Sequence, residues 1–299
     1  PETRLARINI IQARRWFWDV ESQTFFIARQ ESGRLVWYRL GIGPGASFKE
    51  ERIVFRGMPQ GFSSDDVRPH PRADGEFYFF AGGALFLQGR ASVPVPIAEE
   101  MHSYAISPEH IYFVTKNGFF VESNLDGRET KILGRKGLFL DSANPAKIFI
   151  SPAQDVLVLD SAGGLFLYQP GRDQELEFLA GNVLGLDFSE KGDRMLFYED
   201  NRVWVYWLRD NPNQPFDLAR TKKQLFYSDE PIRSSWLNAA GTHVFFSTDS
   251  RIRMVEVDDR ASINSYDLVR GAIRAFILDK DEDMIWWVGG GRLLKASLK

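Results

Sequence analysis

The chain has 299 residues, 44% of them hydrophobic, including 24 Phe, 9 Tyr and 8 Trp. This apolar content excludes a disordered chain and predicts a large packed interior. Lys and Arg number 37 against 40 Asp and Glu, so the net charge of −3 disfavours nucleic acid as a partner. The absence of cysteine excludes disulfides, thiolate metal sites and cysteine nucleophiles.

The sequence also indicates whether this region inserts into a membrane and whether it is part of a longer protein. No apolar run approaches the roughly 18 residues needed to cross a bilayer, so we predict no membrane insertion in this region. The sequence begins at Pro1 without an initiator Met, which is typical of an excised domain. An upstream signal or anchor is therefore left open.

One supersecondary unit recurs seven times along the chain: an apolar segment, a polar turn, a β-prone run, a tight turn and a second β-prone run. The turn-plus-strand segments read, in chain order, WDVESQTFFIA, HPRADGEFYFF, ISPEHIYFV, ISPAQDVLVL, FSEKGDRMLFY, LNAAGTHVFFS and ILDKDEDMIWWV. The turn entrances are Asp19, Pro71, Ser107, Ser151, Ser189, Asn238 and Leu278. Their mean spacing of about 43 residues is typical of four-stranded propeller blades.

A fourth, outer strand follows most copies, as in RIVFR, ETKIL, ELEFLA and KQLFY, but none follows the last copy. Residues 4–10, RLARINI, precede the first complete copy, and we predict that they supply the missing strand and close the ring. The predicted fold is one all-β domain over residues 1–299, a seven-bladed β-propeller with four-stranded antiparallel blades. The predicted blades span about 14–56, 65–99, 102–133, 146–180, 183–227, 232–269, and 272–299 with 4–10.

The turns before the second strands resemble those of TolB-type and WD40-like propeller repeats, in which Ser-Pro-Asp-Gly follows an apolar residue. ISPEH and ISPAQD keep the Ser-Pro pair, RADGE keeps Asp-Gly, and FSEKGD keeps Ser and Gly. The resemblance covers nearly the whole chain and implies an architecture that unrelated functions share. The Trp-Asp dipeptide of WD40 repeats occurs only as Trp18-Asp19, at a different place in the repeat.

Polar residues are expected at the upper mouth of the predicted central channel. Five residues before each turn entrance stand Arg14, Asp66, His102, Ala146, Leu184, Arg233 and Ile273. The neighbouring layer adds Arg15, Lys147 and Arg274, so the sequence predicts a locally positive mouth that binds a carboxylate or phosphate. The alternative is that these cations pair with Asp65, Asp66 and Asp141 and fill the channel.

Other candidate groups are weaker. His70, His110 and His243 fall beside or within turns between first and second strands and are interpreted as solvated turn residues. Two long connections, residues 57–66 and 134–147, carry Phe62, Leu138 and Phe139, which are interpreted either as anchors for a partner or as lids over the blades. Asp279, Asp281 and Asp283 have calcium-loop spacing without the required Gly and Glu, so we predict no metal and no cofactor.

Two functions follow as hypotheses. The first is a non-enzymatic, monomeric interaction module that binds a protein or peptide across the upper face through Arg14, Arg15, Asp66, His102, Lys147, Arg233, Arg274, Phe62 and Phe139. The resemblance and the missing initiator Met indicate a larger bacterial extracytoplasmic protein, periplasmic or at the cell surface, with the cytoplasm left open. The second is a lyase or hydrolase for a small anionic or sugar-like substrate, with His102 transferring a proton and Asp66 orienting it. A purely structural spacer is a third alternative.

Overall fold

The structure is a computed structural model that describes residues 13–19, 24–32, 34–42, 48–55, 57–58, 66–73, 75–89, 93–134, 137–141, 143–210, 218–258, 263–280 and 283–298. Within these ranges the chain forms β-strands and no helix. The described ranges accordingly hold no helix that is long and apolar enough to cross a membrane. The alternation of aromatic, β-branched runs with Gly, Asp and Ser turns favours strands throughout.

The first twelve strands form three antiparallel sheets of four strands each. Sheet 1 consists of β1 (Ala13–Asp19), β2 (Thr24–Glu31), β3 (Arg34–Ile42) and β4 (Phe48–Arg52). Sheet 2 consists of β5 (Asp66–Pro69), β6 (Phe77–Ala81), β7 (Ala84–Gln88) and β8 (Val95–Ala98). Sheet 3 consists of β9 (Met101–Ile106), β10 (His110–Thr115), β11 (Phe120–Asn124) and β12 (Thr130–Ile132).

The remaining strands form four more antiparallel sheets. Sheet 4 consists of β13 (Lys147–Ile150), β14 (Val156–Leu159), β15 (Leu165–Tyr168) and β16 (Glu177–Ala180). Sheet 5 consists of β17 (Gly185–Phe188), β18 (Arg194–Tyr198), β19 (Arg202–Trp207) and β20 (Lys222–Tyr227). Sheet 6 consists of β21 (Ser234–Leu237), β22 (His243–Ser247), β23 (Arg251–Glu256) and β24 (Ser265–Arg270), and sheet 7 of β25 (Ile273–Asp279), β26 (Met284–Gly289) and β27 (Arg292–Ser297).

Seven successive antiparallel sheets in an all-β chain identify the fold as a seven-bladed β-propeller, so the predicted fold class is confirmed. Within each sheet the strands pair in chain order, each with the next. Sheet 7 has three strands among the residues that the structure describes. Residues 4–10, which we predict to complete it, lie outside those residues.

Contacts divide the chain into two compact units. Unit 1 comprises Pro1–Lys116 and Phe120–Ile132 and contains sheets 1 to 3. Unit 2 comprises Asn117–Phe119 and Leu133–Lys299 and contains sheets 4 to 7. The single domain over residues 1–299 stays a prediction.

Within each unit the core lies between neighbouring sheets. In unit 1, Trp37 of sheet 1 packs with Phe79 of sheet 2, and Tyr78 of sheet 2 packs with Phe113 of sheet 3. In unit 2 the same arrangement joins sheets 4 and 5, sheets 5 and 6, and sheets 6 and 7. Because sheet 5 packs against sheet 4 on one face and sheet 6 on the other, the consecutive residues Met195, Leu196 and Phe197 of β18 are all buried rather than alternate ones.

Candidate functional site

The upper end of each sheet is the end where its first strand begins and where the turn between its second and third strands lies. At this end, neighbouring sheets of the same unit are linked by a repeated backbone hydrogen bond. In unit 1, the N–H of Met101 donates to the carbonyl oxygen of Gly83 over 2.8 Å. In unit 2, Val183 donates to Gly163, Ile232 to Asp200 and Ile273 to Asp249, over 2.6 to 2.9 Å.

This repeated bond shows which residues of the sheets are equivalent. The residues that follow the four donors are His102, Leu184, Arg233 and Arg274. The sequence alignment placed Ile273 in this set, with Leu278 as the turn entrance. In the structure the turn begins at Asp279, which pairs with Met284, so the alignment of sheet 7 is shifted by one residue.

Sheet 2 shows a similar shift. His70 donates its N–H to the carbonyl oxygen of Glu76, as Ser107 does to that of His110, so His70 rather than Pro71 is the turn entrance. Asp66 is then equivalent to Lys147 in the neighbouring layer, not to His102. The position equivalent to His102 is residue 65, which lies outside the described residues.

Three of the predicted site residues are the extra residues of β-bulges. Arg14 lies between Ala13 and Arg15 at a register shift in β1, and Arg274 lies at the corresponding shift in β25. His102 lies at the shift in β9. A bulge re-aims a side chain and commonly ends regular pairing near a functional edge. The side chains of Arg14 and Arg15, and all of Phe62, lie outside the described residues.

In unit 1 the carboxylate of Asp66 is held by groups of its own sheet and of sheet 3. Its Oδ1 accepts the N–H of Val67 over 2.9 Å, and its Oδ2 accepts Arg68 Nε over 3.1 Å and the hydroxyl of Tyr104 over 2.9 Å. Burial and the charge of Asp66 raise the pKa of Tyr104 well above its ordinary value of 10. Burial alone would lower the pKa of Arg68, but the charges of Asp66 and Tyr104 and the hydrogen bonds to them together outweigh burial, and the pKa is raised.

His102 does not share these contacts. Its Nε2 atom is buried and has no hydrogen-bond partner among the described residues. No hydrogen bond joins His102 to Asp66, whose described partners are Val67, Arg68 and Tyr104. The two residues proposed for proton transfer are therefore not arranged as a hydrogen-bonded acid–base pair.

The other histidines lie at turns. His70 accepts the N–H of Arg72 at Nδ1 over 3.0 Å and stacks on Tyr78 with ring centroids 5.2 Å apart. Burial lowers the pKa of His70. His110 begins β10 and His243 begins β22. No group of three or more His, Cys, Asp or Glu among the described residues is arranged to hold a metal ion.

In unit 2 the predicted cations differ in their pairing. Arg233 forms a bidentate ion pair with Asp249, with Nε–Oδ1 of 2.9 Å and Nη2–Oδ2 of 2.6 Å. This contact raises the pKa of Arg233 and lowers that of Asp249. Arg274 and Lys147 are exposed, and neither forms an ion pair with any residue in the described part of the chain. Lys147 is therefore available to an anionic partner.

A cleft of about 530 Å³ lies at the upper ends of sheets 4 and 5, and we call it the sheet 4–5 cleft. It is lined by residues 144, 145, 147, 159–163, 182–184 and 200. Most of these side chains are exposed, so the cleft is an open groove. Leu184, which is 54% exposed, lines it together with Lys147 and Asp200.

The long connection before β13 folds back onto this cleft. The N–H of Phe139 donates to Asp160 Oδ2 over 3.3 Å, and its carbonyl oxygen accepts the N–H of Ser161 over 3.0 Å. Leu138 is buried, whereas the Phe139 side chain is 61% exposed. Leu138 thus packs into the interior, while Phe139 stands beside the cleft on a backbone held by these two hydrogen bonds.

Asp160 organises the turn at residues 160–164, most of which lines the cleft. Its Oδ1 accepts the N–H groups of Ala162 over 3.0 Å and Gly164 over 2.7 Å. Ser161 Oγ accepts the N–H of Asp141 over 2.8 Å. These groups stabilise the turn and the connection packed on it. The Asp160 carboxylate and the Ser161 hydroxyl therefore already accept hydrogen bonds from the backbone of the protein.

A contact that the sequence did not predict joins the first strands of sheets 5 and 6 to the residue that follows the first strand of sheet 7. Lys280 Nζ lies 2.8 Å and 3.0 Å from the two carboxylate oxygens of Asp187 and donates to the carbonyl oxygen of Phe188 over 2.8 Å. Asp187 Oδ2 also accepts the N–H of Leu237 over 2.8 Å. The available signal was a charged residue within the otherwise apolar first strand of sheet 5.

A second missed contact ties the segment after β19 to sheet 4. Asp155 is buried and pairs with Arg209, with two N–O distances of 3.0 Å. Gln169 Nε2 donates to the same carboxylate over 2.9 Å, and the N–H of Asp155 donates to Ser151 Oγ. The Asp of the ISPAQD turn therefore binds a cation from the next sheet.

Comparison with known proteins supports the fold. No protein-family model and no curated protein matches the sequence. The β-propeller domain of Myceliophteria thermophila Cps50 (Swd1) is 12% identical, with 96% of this chain and 97% of that chain covered and a TM-score of 0.51. A KlHsv2 variant with loop 6CD replaced by a Gly-Ser linker is 11% identical, with 93% and 89% covered and a TM-score of 0.50.

A third structure is PorZ, a bacterial surface component of the type-IX secretion system of Porphyromonas gingivalis. It is 14% identical with a TM-score of 0.45, and the match covers 96% of this chain but only 37% of PorZ. At these identities the likenesses to the Cps50 domain and to the KlHsv2 variant show the propeller fold alone, which hosts many functions.

Proposed function

We propose that this propeller is a binding module whose sheet 4–5 cleft holds an extended peptide of a partner protein. The observation that carries the proposal is an exposed aromatic side chain, Phe139, beside an open cleft that contains Lys147, a cation with no ion pair to a described residue. The proposal narrows the predicted upper face to the upper ends of two sheets. Of the partner-binding residues predicted from the sequence, the proposed surface includes Lys147 and Phe139. Leu184 is an additional residue of this surface.

The apolar part of the proposed surface is preorganised. Phe139 and Leu184 are 61% and 54% exposed, although their backbones are fixed by hydrogen bonds to Asp160, Ser161 and Tyr198. Exposed aromatic side chains on a rigid backbone lose little conformational freedom on binding. Such side chains are the usual anchors of peptide and protein recognition.

The charged part of the proposed surface gives the peptide a direction. Lys147 and Asp200 both line the cleft and are exposed, and neither forms a side-chain ion pair with a described residue. We therefore expect the peptide to place a carboxylate near Lys147 and a basic or amide group near Asp200. An apolar side chain of the peptide would cover Phe139 or Leu184. Charge complementarity of this kind fixes register more than it adds affinity.

The openness of the cleft favours a peptide over a small molecule. Pockets for small molecules enclose most of the ligand surface, whereas this cleft is lined mainly by exposed side chains. An extended chain with alternating side chains fits an open groove with separate apolar and charged contacts.

We further propose, from the sequence, that the module acts as a monomer within a larger bacterial extracytoplasmic protein. A monomer of this chain has a mass of 34.2 kDa, which light scattering after size exclusion measures directly. A mass of twice that value contradicts the monomer.

Selection from a phage-displayed random peptide library tests the proposed function. We expect selected peptides to bind the wild type and to lose about tenfold affinity with Phe139→Ala and with Lys147→Glu, measured by fluorescence anisotropy. The matched controls are Tyr266→Ala, which removes a 51% exposed aromatic side chain in β24, and Lys191→Glu, which reverses an exposed charge in the turn before β18.

The outcomes are distinct. Loss of binding in the two cleft variants alone supports the proposal. Equal affinity in the cleft and control variants, or a selection that yields no binding peptide, overturns it. Circular dichroism and thermal unfolding of each variant establish that the fold is retained.

A further inference from the structure

The turn between β10 and β11 contains the single Asn-Gly dipeptide of the sequence, Asn117-Gly118. Asn117 is exposed, and Gly118 is buried with a φ of +80°. An asparagine that precedes glycine is prone to lose its side-chain ammonia, because glycine has no Cβ to keep its backbone nitrogen away from the side-chain carbonyl carbon. Whether the reaction is open to this turn depends on what holds the two reacting groups.

Neither reacting group is held by a hydrogen bond. The side-chain amide of Asn117 and the backbone N–H of Gly118 have no hydrogen-bond partner in the part of the chain that the structure describes. Most of the other described asparagines do form side-chain hydrogen bonds, namely 124, 144, 201, 238 and 264. Those side chains must break a hydrogen bond before they react, and the side chain of Asn117 need not.

The remaining described asparagine, Asn182, is protected in another way. It precedes Val183, whose N–H donates to the carbonyl oxygen of Gly163 over 2.9 Å. The β-branched side chain of Val183 also crowds the approach of its own nitrogen to the amide of Asn182. Asn117 is therefore the least protected asparagine among the described residues.

The same turn supports the connection that carries Phe139. The N–H of Leu138 donates to the carbonyl oxygen of Gly118 over 2.7 Å. A Cβ added to Gly118 would lie 2.5 Å from the carbonyl oxygen of Leu138. A Cβ added to Gly137 would lie 3.2 Å from the carbonyl oxygen of Asn117. The dipeptide thus packs directly on the backbone of residues 137–138, without room for an additional backbone atom.

We propose that Asn117 is a site of spontaneous deamidation and that its isoaspartate product releases residues 137–139 from this turn. The Gly118 nitrogen attacks Cγ of Asn117, and the new N–Cγ bond closes a succinimide ring. The Cγ–Nδ2 bond breaks, and ammonia leaves with the proton of the Gly118 nitrogen. Water then opens the ring at Cγ to give aspartate, or at the main-chain carbonyl carbon to give isoaspartate.

The two products differ in their effect on the turn. In isoaspartate the main chain runs through Cβ and Cγ, and the former carbonyl group of residue 117 becomes a carboxylate beside Gly137. The added backbone atom displaces the carbonyl oxygen of Gly118, so the hydrogen bond from Leu138 is lost. Aspartate adds a charge but keeps the backbone length, so it leaves the connection in place. Neither step requires the peptide that the sheet 4–5 cleft is proposed to bind.

Incubation of the full chain at neutral and mildly alkaline pH, followed by proteolysis and mass spectrometry, tests the modification. Breaking one hydrogen bond slows such a reaction by about fivefold, so we expect Asn117 to deamidate faster than any other described asparagine by that factor or more. The rate should rise with pH, because the attacking amide must lose its proton. Asn117→Gln should abolish the reaction, since it requires a larger ring, and the control Asn182→Gln should leave it unchanged.

Hydrogen–deuterium exchange of residues 137–139 tests the consequence. Protein with isoaspartate at position 117, separated by chromatography, should exchange the amide of Leu138 faster than unmodified protein, whereas Asn117→Asp should match unmodified protein. The proposal is overturned if Asn117 deamidates no faster than Asn182 or if isoaspartate leaves this exchange unchanged. Equal acceleration in Asn117→Asp also contradicts it, because the charge and not the backbone length would then be the cause. Thermal unfolding establishes that each variant keeps its fold.

Discussion

The contact of Lys280 with Asp187 yields the most specific stability prediction. It links the first strand of sheet 5 to the segment that follows the first strand of sheet 7, and the N–H of Leu237 in sheet 6 donates to the same carboxylate. The Lys280 and Asp187 side chains are 25% and 15% exposed. Lys280→Met keeps most of the chain length and removes only the charge and the donors.

The expected loss in the free energy of unfolding of Lys280→Met follows from the contacts that Asp187 keeps. Asp187 would keep the hydrogen bond from Leu237 but would lose its cation in a mostly buried position. A charged hydrogen bond contributes about 1.5–3 kcal/mol, and breaking a fully buried pair costs about 3–5 kcal/mol. Because both side chains keep some contact with water, we expect a loss of about 2–3 kcal/mol in the free energy of unfolding. This corresponds to a fall of roughly 3–6 °C in Tm.

Urea unfolding of wild type, Lys280→Met, Asp187→Asn and the double variant measures the contact. A double-mutant cycle should give a coupling energy of about 1–2 kcal/mol. Lys191→Met is the control, and it should change stability by less than about 0.5 kcal/mol because Lys191 is exposed. A coupling energy near zero, or a loss equal to that of the control, refutes the reasoning.

Two further predictions concern a turn and a titrating group. Gly118 has a φ of +80°, and an added Cβ would lie 2.5 Å from the carbonyl oxygen of Leu138, whereas Gly171, with a φ of +79°, has open space around it. Thermal unfolding should show a loss of about 3 kcal/mol for Gly118→Ala against about 1 kcal/mol for Gly171→Ala, and equal losses contradict the prediction. Hydrogen bonds, the largest from Arg251, lower the pKa of Glu230 to about 2 from 4.5, so its contribution to stability is present above pH 4.5 and is lost as the pH falls toward 2. An NMR titration of Glu230 should show that Arg251→Gln raises this pKa toward 4.5, and an unchanged pKa rules out that cause.

The sequence was sufficient for the fold because its local signals agree with one another. The Ser-Pro turns form as their chemistry predicts, with Ser107 Oγ accepting the N–H of His110 and Ser151 Oγ accepting that of Asp155. Strand positions followed from aromatic runs bounded by such turns. The alignment slipped by one residue at Leu278 and at Pro71, which are two of the five turns without the Ser-Pro pair.

The candidate site was harder to predict from the sequence than the fold, because it depends on contacts between segments far apart in the chain. Phe139 and Lys147 were predicted as separate features, and only the fold-back of the connection onto the turn at Asp160 places both at one cleft. Arg233 is engaged by Asp249, a pairing between the start of the first strand and the turn between the second and third strands of sheet 6, which a charge pattern does not specify. The Lys280 contact joins residues 93 positions apart, and the charged Asp187 in an apolar strand does not by itself identify its partner.

Site-specific photo-crosslinking tests the central claim, that the sheet 4–5 cleft is the binding surface. Benzoylphenylalanine is placed at Phe139 and, in a separate variant, at Tyr266, and each protein is irradiated with a peptide selected on the wild type. The account predicts a crosslink at position 139, none at position 266, and competition by unlabelled peptide. Equal crosslinking at both positions, or none at position 139, would contradict it.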